Sequence, residues 1–140
     1  MKIVGLDLGS KTLGIAISDP SQIIATKLST ITFANNNFEY AINELFAILK
    51  DVEIEKFVLG LPKNMDGSIG FQAQSSISFK TRLEEKFKKD VVLWDERLTS
   101  KMAESMMISA DLSRKKRKTK IDFVAATIIL QSYLDSRKRV

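Results

Sequence analysis

The sequence contains no cysteine and no histidine. Without cysteine, the chain has no disulfide, no thiol nucleophile and no cysteine-based zinc site. Without histidine, it has no imidazole base, no Ser-His-Asp triad and no histidine-ligated metal. Acid–base or metal chemistry must therefore use Asp, Glu, Lys or Tyr, and a site built on carboxylates alone favours hard cations such as Mg²⁺ or Mn²⁺.

Long hydrophobic runs are also missing. The longest plainly apolar stretch, residues 123–130, is too short to cross a bilayer, and the first residues lead directly into a strand-like pattern rather than a secretory segment. We therefore expect a cytoplasmic protein with no membrane partner. Its 140 residues, 44% hydrophobic and 28% charged, have the size and composition of one soluble domain, which we expect to span residues 1–140.

Positive charge is concentrated in one short stretch of the chain. The net charge is +5, but without the six basic side chains between positions 114 and 120 the remainder holds 16 basic and 17 acidic residues. Such a patch indicates a polyanionic partner, most commonly nucleic acid, and a solvated surface loop is the alternative. The six residues are Arg114, Lys115, Lys116, Arg117, Lys118 and Lys120.

The pattern of apolar residues and turn signals predicts five strands and four helices. Three strands joined as hairpins come first, and two β-α units follow them. This order predicts an α/β fold with a mixed sheet flanked by helices. The predicted strands span residues 2–9, 12–18, 24–33, 56–61 and 91–94, and the predicted helices span about 38–49, 70–88, 100–108 and 121–136.

An acidic residue interrupts the first predicted strand. Alternation along this strand places Leu6 on one face and Asp7 on the other. Asp7 lies between Gly5 and Gly9, which leave room for a ligand to approach closely. Aspartate is uncommon in strands, and burying an unpaired carboxylate is costly. The pattern therefore favours a metal or phosphate site over a carboxylate that caps a loop or pairs with a lysine such as Lys11.

Further acidic residues occur where two later elements begin or end. Asp95 and Glu96 end a predicted buried strand, and ligand sites gather at such ends in parallel sheets. Alternation lets only one of the two point inward readily, and the sequence leaves open which; a surface ion pair with Arg97 is the alternative. Asp122 starts the final predicted helix, where an acidic residue can also simply complement the helix dipole. If these carboxylates converge with Asp7, they can hold divalent cations that activate water for phosphodiester hydrolysis.

Four short motifs occur in the order known from one protein family and span nearly the whole chain. They read GLDLGSKT at residues 5–12 with GIA at 14–16, GLP at 60–62 with DG at 66–67, DERLTS at 95–100, and KID at 120–122 with AA at 125–126. On these motifs the chain resembles the RuvX/YqgF family, described as Holliday-junction-resolvase-like or pre-16S rRNA nucleases. The resemblance implies a ribonuclease-H-like fold with a five-stranded mixed sheet flanked by helices.

The resemblance also implies site residues, a cofactor and a substrate class. Asp7, Glu96 and Asp122 are implied as the catalytic and metal-binding carboxylates, with Mg²⁺ or Mn²⁺ as cofactor. Asp95 is a second candidate for the middle position. The implied role is processing of the 5′ end of pre-16S rRNA, so we expect structured RNA, or branched DNA, as partner. The side chains that we expect to contact nucleic acid are Lys11, Lys63, Arg97, Arg114, Lys115, Lys116, Arg117 and Lys118.

Two other functions stay open at this point. The basic stretch is also compatible with a nucleic-acid-binding factor that performs no hydrolysis and acts in ribosome assembly or transcription. Residues 7–12 resemble a phosphate loop of the sugar-kinase superfamily, but those enzymes close two lobes over a nucleotide and 140 residues supply only one. The oligomeric state is open between monomer and homodimer.

Overall fold

The computed structural model describes residues 1–64, 66–98 and 124–137. A 3-10 turn, Glu96–Leu98, follows the last strand. The strands of the described part are β1 (Lys2–Leu8), β2 (Thr12–Ser18), β3 (Ala25–Thr32), β4 (Ile54–Leu61) and β5 (Asp90–Asp95), and its helices are α1 (Phe38–Ile48), α2 (Phe71–Phe87) and α3 (Ala125–Ser136).

All five strands belong to one mixed sheet with the order β3-β2-β1-β4-β5. The pairs β1–β2 and β2–β3 are antiparallel, whereas β1–β4 and β4–β5 are parallel. The predicted α/β fold with a five-stranded mixed sheet is therefore confirmed. Because β1, β4 and β5 run in the same direction, their carboxyl ends lie along one edge of the sheet, where parallel sheets bind ligands.

One face of the sheet packs against α1 and α2. Alternate side chains of β1, including Leu6, join Leu45 of α1 and Phe79 of α2 in a core whose members are buried. The period of two along a strand places these side chains on one face and leaves the intervening residues for the other.

The other face of the sheet is covered by α3. A Cβ placed on Gly5 would lie only 2.6 Å from the Cβ of Leu130 and 3.1 Å from the carbonyl oxygen of Ala126. The absence of a side chain at Gly5 therefore lets the backbone of α3 lie directly on β1. This contact holds the first turn of α3 beside the carboxyl end of β1.

Most predicted element boundaries agree with the structure within two residues. The exception is α3, which was predicted to begin at about residue 121. It begins at Ala125, because Val124 has an extended backbone with φ −61° and ψ 135°. The predicted helix at about 100–108, the basic stretch and Asp122 lie outside the described residues. None of the helices in the described ranges is long and apolar enough to cross a membrane.

Candidate active site

Asp7 lies near the carboxyl end of β1 and faces the side of the sheet that α3 covers. It pairs in register with Gly14 of β2. A Cβ placed on Gly14 would lie 3.7 Å from the Cβ of Asp7 and 3.5 Å from the Cβ of Ala126, so the glycine leaves space between β1 and the first turn of α3. Asp7 is partly buried there, and this burial raises the pKa of its carboxyl.

Glu96 is brought to the same place from the end of β5. It is the first residue of the 3-10 turn, and a Cβ placed on Gly60 of β4 would lie 3.1 Å from its Cγ and its Cδ. The side chain of Glu96 therefore lies over β4, the strand between β5 and β1. Burial raises the pKa of Glu96 to about 7, and repulsion by the carboxylates of Asp7 and Asp95 adds to the shift.

Asp95 has a different environment, although it is adjacent in sequence. One of its oxygens, Oδ2, lies 2.7 Å from Nη2 of Arg97, and the other, Oδ1, accepts a 3.0 Å hydrogen bond from the backbone N–H of Arg97. Lys63 Nζ lies 3.9 Å from Oδ2. Hydrogen bonding by the Arg97 side chain holds the pKa of Asp95 below its usual value. The ion pair that the sequence allowed as an alternative is thus formed by Asp95 and Arg97.

Three of the basic residues predicted to contact nucleic acid follow the carboxyl ends of the parallel strands. Lys11 is exposed in the turn after β1, Lys63 follows β4, and Arg97 lies in the turn after β5. The structure therefore brings these three cations to the edge that carries Asp7 and Glu96. The other predicted residues, Asp122, Arg114, Lys115, Lys116, Arg117 and Lys118, lie outside the described part of the chain.

The chemistry of the acidic pair fits a hard divalent cation. Within residues 1–64, 66–98 and 124–137, the Asp7 carboxylate has no hydrogen bond and no ion pair. The same residues contain no group of three or more acidic side chains that could hold a metal ion. The described donors are therefore Asp7 and Glu96, two carboxylates whose mutual repulsion a divalent cation would relieve.

Sequence reasoning missed the part that Gly60 plays in this site. In the sequence Gly60 stands out only as part of the GLP motif, and no local pattern indicates that Glu96 crosses it. A glycine inside a buried strand is itself a signal, because it often marks a place where other atoms approach the backbone closely. Gly5 and Gly9, on either side of Asp7, give the same signal.

Comparison with solved structures confirms the predicted ribonuclease-H-like fold. The structure of T. thermophilus RuvC in complex with a Holliday junction substrate superposes with a TM-score of 0.67, covering 99% of this chain and 96% of that chain. The two sequences are only 12% identical over this superposition. At that identity the likeness concerns the fold alone.

Sequence comparisons identify the family. The family described as "RuvX: Holliday junction resolvase" matches residues 1–136. A relative from Bacillus licheniformis named "Putative pre-16S rRNA nuclease" is 52% identical over 136 residues, which are 97% of this chain and 98% of the relative. A relative of the same name from Bacillus subtilis is 49% identical over 136 residues, covering 97% of this chain and 99% of the relative. The chain therefore belongs to the RuvX family, in agreement with its four motifs.

Proposed function

We propose that the chain is a metal-dependent nuclease that hydrolyses phosphodiester bonds and acts in processing of the 5′ end of pre-16S rRNA. The observation that carries this proposal is the acidic pair of Asp7 and Glu96, held together at the carboxyl edge of three parallel strands. The names of the two Bacillus relatives, at about half identity over nearly the full chain, support pre-16S rRNA as substrate. Branched DNA is the second substrate, in keeping with the family description.

Asp7 and Glu96 are the proposed metal ligands in the described part of the chain. Asp122 is the proposed third carboxylate, since it stands four residues before Ala126, which lies against Gly14 beside Asp7. We propose Mg²⁺ or Mn²⁺ as the ion; when bound, it supplies a Lewis acid that activates water and stabilises the leaving oxygen. Glu96 must lose its proton to bind the ion, and its raised pKa places that step near neutral pH.

The basic residues at this edge are proposed to hold the nucleic acid. Lys11, Lys63 and Arg97 lie at the ends of three neighbouring strands, where they can contact backbone phosphates on either side of the acidic pair. The basic stretch at residues 114–118 is proposed to add further phosphate contacts and to make binding depend on salt. This reaction belongs in the cytoplasm, where bacterial ribosomal RNA is made, and we propose that residues 1–140 perform it as one domain.

Cleavage assays with matched variants test the proposal. The substrates are labelled RNA carrying the precursor 5′ end of 16S rRNA and a four-way DNA junction, each with Mg²⁺ or Mn²⁺. We expect Asp7→Asn, Glu96→Gln and Asp122→Asn each to lower the rate by at least about 100-fold, since even outer-shell partners of a metal site cost about 10- to 100-fold. Asp90→Asn is the control, because Asp90 is exposed at the opposite end of β5.

Two results would contradict the proposal. One is cleavage by Asp7→Asn and Glu96→Gln at the wild-type rate, which would place the reaction elsewhere. The other is an equal loss in Asp90→Asn, which would show that the effect is not specific to this edge. Preference for the precursor RNA over the DNA junction under the same conditions would support the ribosomal substrate.

A further inference from the structure

We propose that Asp95 is a positioning residue, not a metal ligand: by binding Arg97 it closes the turn around Glu96 and keeps the Glu96 carboxylate directed toward Asp7. This inference rests on the proposed function, because it concerns how the same acidic pair is made ready for its ion. It assigns to Asp95 a role different from that of second candidate ligand.

The contacts between Asp95 and Arg97 enclose the residue between them. The backbone N–H of Arg97 donates to Oδ1 at 3.0 Å, Nε lies 3.2 Å from Oδ1 and 3.1 Å from Oδ2, and Nη2 donates to Oδ2 at 2.7 Å. Both oxygens of Asp95 are therefore engaged by one neighbour. A bidentate arginine–carboxylate pair has a fixed relative orientation, so it restrains the backbone of Glu96.

The turn is also braced against the loop that follows β4. A Cβ placed on Gly67 would lie 3.2 Å from Nη1 of Arg97, and Gly67 has a φ of +89°, which favours glycine. Asp66 shapes this loop by accepting hydrogen bonds from the backbone N–H and the hydroxyl of Ser68, at 2.9 and 2.6 Å. Arg97 is thus held between Asp95 on one side and the loop on the other.

The restraint on Glu96 matters because the carboxylates of Asp7 and Glu96 repel each other when no cation is bound. The Glu96 side chain lies over Gly60 and close enough to Asp7 for their charges to interact. An unrestrained glutamate at a strand end would relieve this repulsion by turning toward solvent. The contact between Asp95 and Arg97 removes part of that freedom. The Glu96 side chain is therefore already held in position before an ion binds.

Charge argues against Asp95 as a ligand. Its carboxylate is paired with the Arg97 guanidinium and also has Lys63 Nζ at 3.9 Å. To bind a cation it would first have to leave a bidentate pair, and the two positive side chains would then lie beside the metal.

Mn²⁺ affinity, measured by electron paramagnetic resonance without nucleic acid, tests this inference. We expect Asp95→Ala and Arg97→Ala each to weaken Mn²⁺ binding about 10-fold, the lower end of the range for outer-shell partners. The double variant should be no weaker than either single one, because both changes remove the same contact. Asp95→Asn should recover part of the affinity, since its amide oxygen can still accept the backbone hydrogen bond.

Arg82→Ala is the matched control, since Arg82 pairs with Glu39 at an exposed site between α1 and α2. It should bind Mn²⁺ like the wild type. Circular dichroism establishes that each variant is folded, and Arg97→Gln replaces Arg97→Ala if that variant is not. Loss of binding in Asp95→Ala with wild-type affinity in Arg97→Ala would overturn the inference, because it would make Asp95 a direct ligand. Wild-type affinity in both would overturn it as well.

Failure of the proposed function looks different from failure of this inference. If the wild-type chain binds no Mn²⁺, or if Asp7→Asn binds it as well as the wild type, the acidic pair is not the metal site and both proposals are wrong. If the wild type binds Mn²⁺ and Asp7→Asn does not, the affinities of Asp95→Ala and Arg97→Ala relative to the wild type test the inference while the proposed function stands.

Discussion

Glu96 crosses directly over Gly60: a Cβ on Gly60 would lie 3.1 Å from the Cγ and Cδ of Glu96. β4, the strand between β5 and β1, therefore leaves room on its surface for a side chain from the 3-10 turn that follows β5. The same hypothetical Cβ would lie 2.7 Å from Cδ1 of Ile129 in α3. The absence of a side chain at Gly60 thus makes room both for Ile129 of α3 and for the side chain of Glu96.

Gly60→Ala tests this relationship. All three crowded atoms belong to side chains that can move, so we expect a modest loss of about 1 kcal/mol in the free energy of unfolding, measured by urea denaturation. The larger effect should be weaker Mn²⁺ binding, because Glu96 is displaced. Gly14→Ala is the control for stability, since its Cβ would lie 3.5 Å from Ala126, an ordinary contact. Unchanged Mn²⁺ affinity in Gly60→Ala would contradict the prediction.

Gly5→Ala should cost much more stability. Its Cβ would lie 2.6 Å from the Cβ of Leu130 and 3.1 Å from the carbonyl oxygen of Ala126, and neither atom can move without shifting α3. We expect a loss of about 3 kcal/mol in the free energy of unfolding, at the upper end of the usual range for overpacking. Urea denaturation of Gly5→Ala and Gly60→Ala compares their free energies of unfolding, and Gly5→Ala should be the less stable. Equal stability of the two variants would argue against direct backbone packing of α3 on β1.

Stability without metal should decrease as the pH rises from about 4.5 to 7. Glu96 has a pKa of about 7 in the folded chain against an ordinary value of 4.5. Between these values the folded state binds the proton that the unfolded state has released, so ionisation favours unfolding. We expect a decrease of about 1–2 kcal/mol, since solvent screens a side chain that is only partly buried. Urea denaturation at four pH values, with a chelator present to remove metal ions, measures this decrease.

Glu96→Gln is the control for this pH dependence, because the amide does not titrate. The decrease between pH 4.5 and 7 should become smaller in this variant. A wild-type profile that rises over this range would show that other groups dominate.

Divalent ions should stabilise the folded chain. An ion that binds only the folded state, at about 100 times its dissociation constant, contributes about 2.7 kcal/mol to stability and raises the melting temperature by several degrees. Thermal unfolding with and without millimolar Mg²⁺ or Mn²⁺ measures this shift. It should be absent in Asp7→Asn and reduced at pH 5, where Glu96 is protonated. No shift in the wild type would mean that there is no ion site.

The basic stretch should govern affinity for nucleic acid. Replacing Lys115, Lys116 and Arg117 by alanine should weaken RNA binding and reduce the slope of log affinity against log salt by about 2–3, since each lost phosphate contact removes about 0.7–0.9. Filter binding at several salt concentrations measures both, and unchanged affinity would exclude the stretch from the interface. Salt-dependent binding by a wild type that cleaves nothing with either metal would instead favour a non-catalytic binding factor.

Local patterns were sufficient to predict much of the fold. The alternation in β1 correctly separated Leu6 from Asp7, and the turn signals placed most strands and helices within two residues. These features depend on neighbouring residues, which is why a single sequence contains them. The start of α3 was missed because the apolar pattern continues into Val124, whose extended backbone no local signal marks.

The sequence by itself determined that any acid–base or metal chemistry here falls to Asp, Glu, Lys or Tyr, and on which face of its strand Asp7 lies. It could not decide between Asp95 and Glu96, because the alternation of β5 ends where the 3-10 turn begins. The tertiary structure pairs Arg97 with Asp95 and places the Glu96 side chain over Gly60, and our proposal that Glu96 is the ligand rests on this difference. Parallel pairing of β1, β4 and β5 joins segments distant in sequence, and such contacts depend on the packing of the whole sheet rather than on any local pattern.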